Sequence, residues 1–279
     1  MIVAHTRAEL TAARAELVAP VGLVPTMGAL HIGHAALLAV ARDDCVSVVA
    51  SIFVNPLQFG AGEDLDRYPR SLAADLAMCD RAGVDVVWVP SVDDVYPGGV
   101  PQVTVSPGLL ADELEGAVRP GHFVGVLTVV AKLFGLVRPD AAYLGEKDYQ
   151  QQVLVGQMAA DLELGVDIVT VPTVRDPDGL AVSSRNIYLS TTEREEALGL
   201  PRSMRAGQQA ASAGPNAVLA AARAALGPGL DVDYLTLRAP DLGATPDHGP
   251  ARLLGAVRVG KTRLIDNVEV VLLASYAGH

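Results

Sequence analysis

With 279 residues, half of them apolar and 19% charged, the chain is long enough for one large globular domain or two unequal ones. Its net charge is −11 and no block of five Lys or Arg occurs, which argues against a nucleic-acid partner but leaves room for small anionic ligands that need only a few local cations. The opening MIVAHTRAELTAARAEL lacks a charged leader followed by an apolar core, and the longest apolar runs are broken by Lys132, Arg138 or glycine, so a cytoplasmic protein without a membrane partner is expected.

From Val21 onward, apolar runs alternate with stretches of helical periodicity. Val21–Pro25 predicts a buried strand, His31–Asp43 a helix, Val46–Val54 a strand, Leu72–Arg81 a helix and Val84–Val89 a strand. Phe123–Val137, Ala141–Leu144, Tyr149–Leu162 and Asp167–Val171 continue as helix, strand, helix and strand. This alternation predicts an α/β fold, a Rossmann-like parallel sheet with helices on both faces. Ligands of such sheets bind beyond the carboxyl ends of the strands. Asn55–Arg70 and Pro90–Pro107 are long and rich in Gly and Pro, and are expected to be active-site loops. Cys45 and Cys79 have no metal-ligand spacing and are expected to pack, reduced, as small hydrophobes.

Past Arg175 the texture changes. Ser190-Thr-Thr-Glu193 has the pattern of a capping box opening a helical stretch, and a further helix is expected near Ala217–Leu226. Val232–Arg238, Arg252–Val259 and Arg263–Leu273 read as strands joined by short turns. A smaller C-terminal α+β domain is therefore expected over residues 175–279, following a first domain over 1–174.

Four segments carry candidate chemistry. Pro25-Thr-Met-Gly-Ala-Leu-His-Ile-Gly-His34 follows a strand and opens a helix, where unpaired N–H groups and the positive helix end suit phosphate. His31 and His34 share one face of that turn and offer ring N–H donors as charge shifts between phosphate oxygens. Gly28 permits a tight turn and Gly33 a close approach to the backbone. Gly145-Glu-Lys-Asp-Tyr-Gln-Gln151 ends a strand, where Lys147 offers a cation to phosphate, Asp148 an acceptor to ribose hydroxyls, and Gln151 both donor and acceptor to a hydroxy acid. Asp178-Gly-Leu-Ala-Val-Ser-Ser-Arg-Asn186 offers two hydroxyls and an arginine to pyrophosphate. In Val54-Asn-Pro-Leu-Gln-Phe-Gly60, Gln58 stands at the ligand edge of the sheet and Asn55, preceding Pro, is a turn residue or a ligand contact.

His-Ile-Gly-His resembles the signature of the class I adenylating and nucleotidyl-transferring superfamily, and the Asp178–Asn186 segment resembles its Lys-Met-Ser-Lys-Ser-type loop. PTMGALHIGH, SIFVNPLQFG, DLDRYPR, RPGHFVGVLTVVAKLF, GEKDYQQ and GLAVSSRNIYL occur in family order over residues from about 24 to 190. The closing RLLGAVRVGKTRLIDNVEV also fits. On these segments the chain resembles the pantothenate synthetase, or pantoate–β-alanine ligase, family. The resemblance implies ATP-dependent ligation of pantoate to β-alanine through a pantoyl-adenylate, with AMP and pyrophosphate released. It implies that Met27, Gly28, Ala29, Leu30, His31, Ile32, Gly33 and His34 line the ATP phosphates, with His34 the proton donor and His31 and Lys147 also catalytic. Gly145, Glu146, Lys147, Asp148, Val174, Val182, Ser183, Ser184 and Arg185 would contact ATP, Gln58 both pantoate and β-alanine, and Gln151 pantoate. It further implies a homodimer, and a Mg²⁺ ion held mainly by the ATP phosphates with no protein ligand named. One position departs: the family usually has Met where Val182 stands, and a small effect on ATP affinity is expected.

Three other readings remain open on the sequence alone. Another adenylate-forming enzyme of the superfamily, such as an aminoacyl-tRNA synthetase fragment, is opposed by the acidic balance and the absent anticodon-binding domain. A non-catalytic sensor of nucleotide or pantoate is opposed by intact His31, His34 and Lys147. Gly255-Ala-Val-Arg-Val-Gly-Lys-Thr262 matches a P-loop pattern, but the strand-like Arg263–Val271 follows it where a helix is required, so a hairpin turn at Gly260-Lys261 is expected.

Overall fold

The computed structural model describes residues 1–60 and 62–273. The chain forms two compact units, one of Met1–Glu146 with Gln150–Pro172, the other of Lys147–Tyr149 with the chain from Thr173 onward.

In the first unit the elements run β1 (Ile2–Ala4), α1 (Arg7–Ala15), β2 (Val21–Thr26), α2 (Ile32–Asp44), β3 (Ser47–Ile52), α3 (Leu72–Arg81) and β4 (Val86–Trp88). The short helices α4 (Val92–Val95) and α5 (Glu115–Val118) precede α6 (His122–Val137), β5 (Ala141–Gly145), α7 (Tyr149–Asp161) and β6 (Asp167–Val171). Among the described residues the six strands form one sheet in the order β1-β4-β3-β2-β5-β6, every pair parallel. The strands are buried on both sides, which is why they read as continuous apolar runs. Val21, Leu23 and Val49 pack with Leu10 and Ala13 of α1 and Phe134 and Val137 of α6 on one face. Val24, Val48 and Ala50 pack with Leu37 and Leu38 of α2 and Cys79 of α3 on the other. The two-residue period of a strand thus feeds two cores. Eleven of the sixteen residues of α6 are buried, so it is a core helix rather than a surface one. β2 lies between β3 and β5, where the strand order reverses, and ligand crevices open beside the carboxyl ends at such a point.

The predicted strands and helices of this unit are all present, most within two residues of the expected ends. β1 and α1 lie outside the expected elements, and the Asn55–Arg70 and Pro90–Pro107 segments contain short helical turns at Pro56–Gln58 and Val92–Val95. Both cysteines are buried and unbridged. Burial, with the Asp75 carboxylate beside it, pushes the Cys79 thiol up to about 11, out of the reactive range.

The second unit contains α8 (Thr191–Ala197), α9 (Gly199–Gln209), α10 (Pro215–Ala225) and the strands β7 (Asp231–Arg238), β8 (Gly249–Val259) and β9 (Thr262–Leu272). Ser190 and Glu193 form the expected reciprocal cap at the start of α8. The strands make an antiparallel sheet in the order β7-β8-β9. Met204 of α9 and Val218 and Ala222 of α10 pack on Leu253 and Val257 of β8. Gly260 and Lys261 join β8 to β9 as a two-residue hairpin turn, with Gly260 at φ +54°, so the P-loop pattern is a turn between strands.

Candidate active site

β2 ends at Thr26, and the chain then turns sharply into α2. The Thr26 hydroxyl donates to the Ser51 carbonyl at 2.7 Å and accepts the Gly28 N–H at 3.2 Å, closing the turn. Gly28 sits at φ +84° and Ala29 at φ +51°. The second is a left-handed conformation that costs a residue with a Cβ of order 1 kcal/mol or more. A single side chain holds it there. The buried Asp75 of α3 accepts the Ala29 N–H and the Leu30 N–H, each at 2.9 Å, and the Ser71 hydroxyl at 3.0 Å. Asp75 is not among the residues that sequence reasoning finds. It lies 46 positions from Ala29, and a carboxylate inside an amphipathic helix gives no pattern by itself.

His31 is the N-cap of α2. Its Nδ1 accepts the Gly33 N–H at 3.2 Å, and His34 Nδ1 accepts the His31 N–H at 3.2 Å. The two rings lie 4.1 Å apart between centroids. The histidines therefore cap the helix reciprocally, in the manner of a capping box. An Nδ1 that accepts a backbone N–H leaves the proton of the neutral ring on Nε2, so both rings are Nε2–H donors. Gly33 has a reason beyond ligand approach: a Cβ there would stand 3.0 Å from the His31 ring. Ile32 is exposed, consistent with its place on the outside of the turn.

Gln58 lies on the turn that follows β3 and is buried. Its Oε1 accepts the Asn55 Nδ2–H at 3.0 Å and its Nε2 donates to Met27 Sδ at 3.1 Å, which brings two expected site residues together. Asn55 is the turn residue that its place before Pro suggested. Its Oδ1 caps Leu57 N at 3.3 Å and its Nδ2 also donates to the Gly125 carbonyl at 3.1 Å. The buried Tyr96 completes the chain, its hydroxyl donating to Asn55 Oδ1 at 2.8 Å. Burial raises the Tyr96 phenol well above its ordinary value, so it remains a donor. Tyr96 fixes which way the Asn55 amide faces, and Asn55 fixes Gln58.

The backbone of Gln58 is gripped from α6. His122 Nδ1 donates to the Gln58 carbonyl at 2.8 Å and its Nε2 accepts from Arg119 at 3.0 Å. Arg119 forms a bidentate pair with Glu63 at 2.8 and 2.6 Å. Burial and the neighbouring Arg119 charge depress His122 to about 4, so it is neutral, in the tautomer opposite to His31 and His34. Burial would raise Glu63, but the Arg119 hydrogen bonds and charge outweigh it and hold the carboxyl below its usual range. Gly145 closes β5, the strand beside β2, and Glu146 follows it. Gln151 occupies the first turn of α7, half-buried.

In the second unit, Lys147 is largely covered and lies 3.9 Å from the half-exposed Asp148. Val174 and Val182 meet: the Val182 N–H donates to the Val174 carbonyl at 3.0 Å, and Arg175 bridges Ala181. This makes residues 174–182 a narrow hairpin turned at Gly179, φ +95°. Ser183 accepts the Arg185 N–H at 3.3 Å and starts the short turn Ser184–Tyr188. Arg194 of α8 pairs with Asp176 at 2.8 Å and Asp178 at 2.7 Å, pinning the hairpin tip.

Comparison with known proteins gives a consistent result. The sequence profile of the pantoate-beta-alanine ligase family matches residues 2–269. A pantothenate synthetase of Nocardioides sp. is 57% identical over 97% of this chain and 86% of its own length. One from Salinispora arenicola is 58% identical over 96% of this chain and 97% of its own. The crystal structure of pantothenate synthetase from Thermus thermophilus superimposes with a TM-score of 0.93 at 48% identity, covering 97% of this chain and all (100%) of that one. A pantoate-beta-alanine ligase from Francisella tularensis, complexed with beta-gamma ATP and beta-alanine, superimposes with a TM-score of 0.82 at 36% identity, covering 96% of this chain and 97% of that one.

Proposed function

The chain belongs to the pantoate–β-alanine ligase family, and from that membership we propose how its residues carry the reaction. The enzyme uses ATP to join pantoate to β-alanine through a pantoyl-adenylate. The pantoate carboxylate attacks the α-phosphorus of ATP and the bond to pyrophosphate breaks. The amine of β-alanine then attacks the acyl-adenylate carbonyl and AMP leaves. A carboxylate and an amine are already nucleophiles, so the protein's work is positioning and charge stabilisation.

The observation that carries the proposal is the 27–34 turn. It opens at the reversal point of a parallel sheet, it starts a helix, and its two imidazoles hold their protons on Nε2. His34 Nε2–H is the donor to the phosphate oxygens as charge moves onto pyrophosphate, and His31 assists it. Met27 to Ile32 and Gly33 line the phosphates. Gly145 to Asp148, Val174 and Val182 to Arg185 contact ATP, with Lys147 supplying positive charge. Gln58, oriented by Asn55 and Tyr96, contacts pantoate and β-alanine, and Gln151 contacts pantoate. A Mg²⁺ ion would accompany ATP, bound mainly through the phosphates, and would supply charge neutralisation there. The donor set of the turn suits this division, because N–H and imidazole groups partner phosphate rather than a hard cation. The family supports a homodimer acting in the cytoplasm, and no helix among the described residues is long and apolar enough to cross a membrane.

Oxygen tracing tests the route. With ¹⁸O in the pantoate carboxylate, label is expected in AMP and not in pyrophosphate. Label in inorganic phosphate, with ADP formed, would establish an acyl phosphate instead.

A further inference from the structure

The small sheet of the second unit buries a cluster of polar side chains. Arg252 of β8 and the adjacent Asp266 and Asn267 of β9 are exposed by only 6%, 2% and 3%. Buried groups of this kind are costly unless paired, and pairing them often adds little stability over an apolar core. Their partners explain what they do. Asn267 Nδ2 donates to the Lys147 carbonyl at 3.0 Å, while its Oδ1 accepts from Arg252 Nε at 2.7 Å. The Arg252 guanidinium lies 4.3 Å from the centroid of the Tyr149 ring, and the Tyr149 hydroxyl donates to the Pro240 carbonyl at 2.8 Å. Asp266 takes Arg175 in a bidentate pair at 2.6 and 2.8 Å and accepts the Asn267 N–H at 2.7 Å. Arg175 in turn donates to the Gly179 carbonyl at 3.1 Å, across the 174–182 hairpin.

Successive residues of a strand face opposite sides of its sheet, so one dipeptide reaches two separate segments. Asp266 takes the segment that holds Val174 and Val182, and Asn267 takes the segment that holds Lys147 and Asp148. We infer that Asp266 and Asn267 are positioning residues, which set the two ATP-contacting segments of the second unit from a single point on β9. The inference rests on the roles given above to Lys147 and to residues 174–185. Neither side chain is assigned a contact with substrate; each acts through the backbone or the arginine that it holds.

Asn267→Asp is the sharpest variant. It keeps an acceptor for Arg252 but removes the donor to the Lys147 carbonyl. Adenylation, followed by pyrophosphate release, is expected to fall about tenfold with a raised KM for ATP, as for the loss of one buried hydrogen bond. The KM values for pantoate and β-alanine are expected to stay within about twofold. In a Lys147→Ala background, itself expected to be slowed by about 30-fold or more, N267D is expected to cost clearly less than in the wild-type enzyme, because part of what Asn267 positions is the Lys147 side chain. Asp266→Asn, nearly isosteric, is expected to raise the KM for ATP by weakening the hold on Arg175. It is read at a temperature where circular dichroism shows each variant folded. Normal ATP kinetics in both folded single variants, or an N267D loss that adds fully to that of K147A, would overturn the inference. K147A with undiminished ATP use would refute the role of Lys147 and this inference with it, a result obtained without any Asn267 variant.

Discussion

Residues 27–34 and residues 147–185 are held in contrasting ways. In the first stretch the histidine contacts span two or three positions and the Thr26 contact spans two, while Gln58 and Asp75 reach in from 31 and 46 positions along the chain. In the second, the Arg194 pairs span 18 and 16 positions, and the contacts of Asp266 and Asn267 come from 91 and 120 positions downstream, in a different kind of sheet. The reciprocal histidine cap needs only the start of its own helix, while the left-handed Ala29 also needs Asp75 of α3. A segment fixed from a distant hairpin takes its shape only when the second unit has folded. The same ligand is therefore assigned to one feature set by local sequence and to others set by tertiary structure.

The largest expected effect separates chemistry from capping inside the turn. His34→Ala is expected to slow adenylation by about 10²–10³-fold, as for loss of one transition-state donor. It is also expected to destabilise the protein by about 1 kcal/mol, because the His31 N–H loses its cap. His34→Asn can return an acceptor near the Nδ1 position, so it should recover stability but not rate in paired melting and pyrophosphate-release measurements. Recovery of both would show that His34 serves the fold alone.

Asp75→Asn sets an amide N–H against the Ala29 or Leu30 N–H. A loss of about 1–3 kcal/mol in stability is expected, together with adenylation slowed by about tenfold as the strained turn relaxes. An enzyme that loses stability in denaturant titration yet retains full adenylation would break the link between Asp75 and the histidines.

His122 gives a smaller, pH-dependent effect. Its folded value of about 4 lies below the ordinary 6.5, so the unfolded chain binds more protons between those values. Stability from this group is complete above about pH 6.5 and is lost as pH falls toward 4. From pH 7 to pH 5 the loss is about 2 kcal/mol. His122→Asn can keep the donor to the Gln58 carbonyl without the titration, and its stability should change less over that interval in urea unfolding. An unchanged pH slope would show that another group carries it.

Lys261→Ala is expected to leave ATP kinetics within about threefold of normal, because an exposed hairpin-turn lysine contributes little. A large loss would revive the nucleotide-loop reading of residues 255–262.

The contrast between near and far contacts also explains what the sequence disclosed. The buried strands were legible because both faces of the sheet demand apolar residues, and the β8–β9 turn was legible because β-branched residues followed it. The Ser190 cap was legible as a four-residue pattern. Thr6 and Glu9 form an equal pattern that caps α1, so that helix too has its start signal in the sequence. β1 has three residues, too few for periodicity to register. Asp75, Tyr96, Asp266 and Asn267 could not be read, because each is an ordinary polar residue until folding sets it against a distant partner, a backbone group for Asp75 and Asn267 and a side chain for Tyr96 and Asp266.

The ring protons of His31 and His34 have a consequence for inhibitor chemistry. Both Nδ1 atoms are committed to backbone N–H groups, so an incoming compound meets imidazole donors rather than acceptors. Scaffolds that present sulfonyl, carboxylate or tetrazole acceptors to these rings match the pattern as it stands. A compound that presents an N–H must first shift a ring proton from Nε2 to Nδ1, which also strips a cap from α2. Escape from a well-matched compound by substitution at either histidine costs a donor and, unless the new side chain can itself cap the helix, the start of α2 as well.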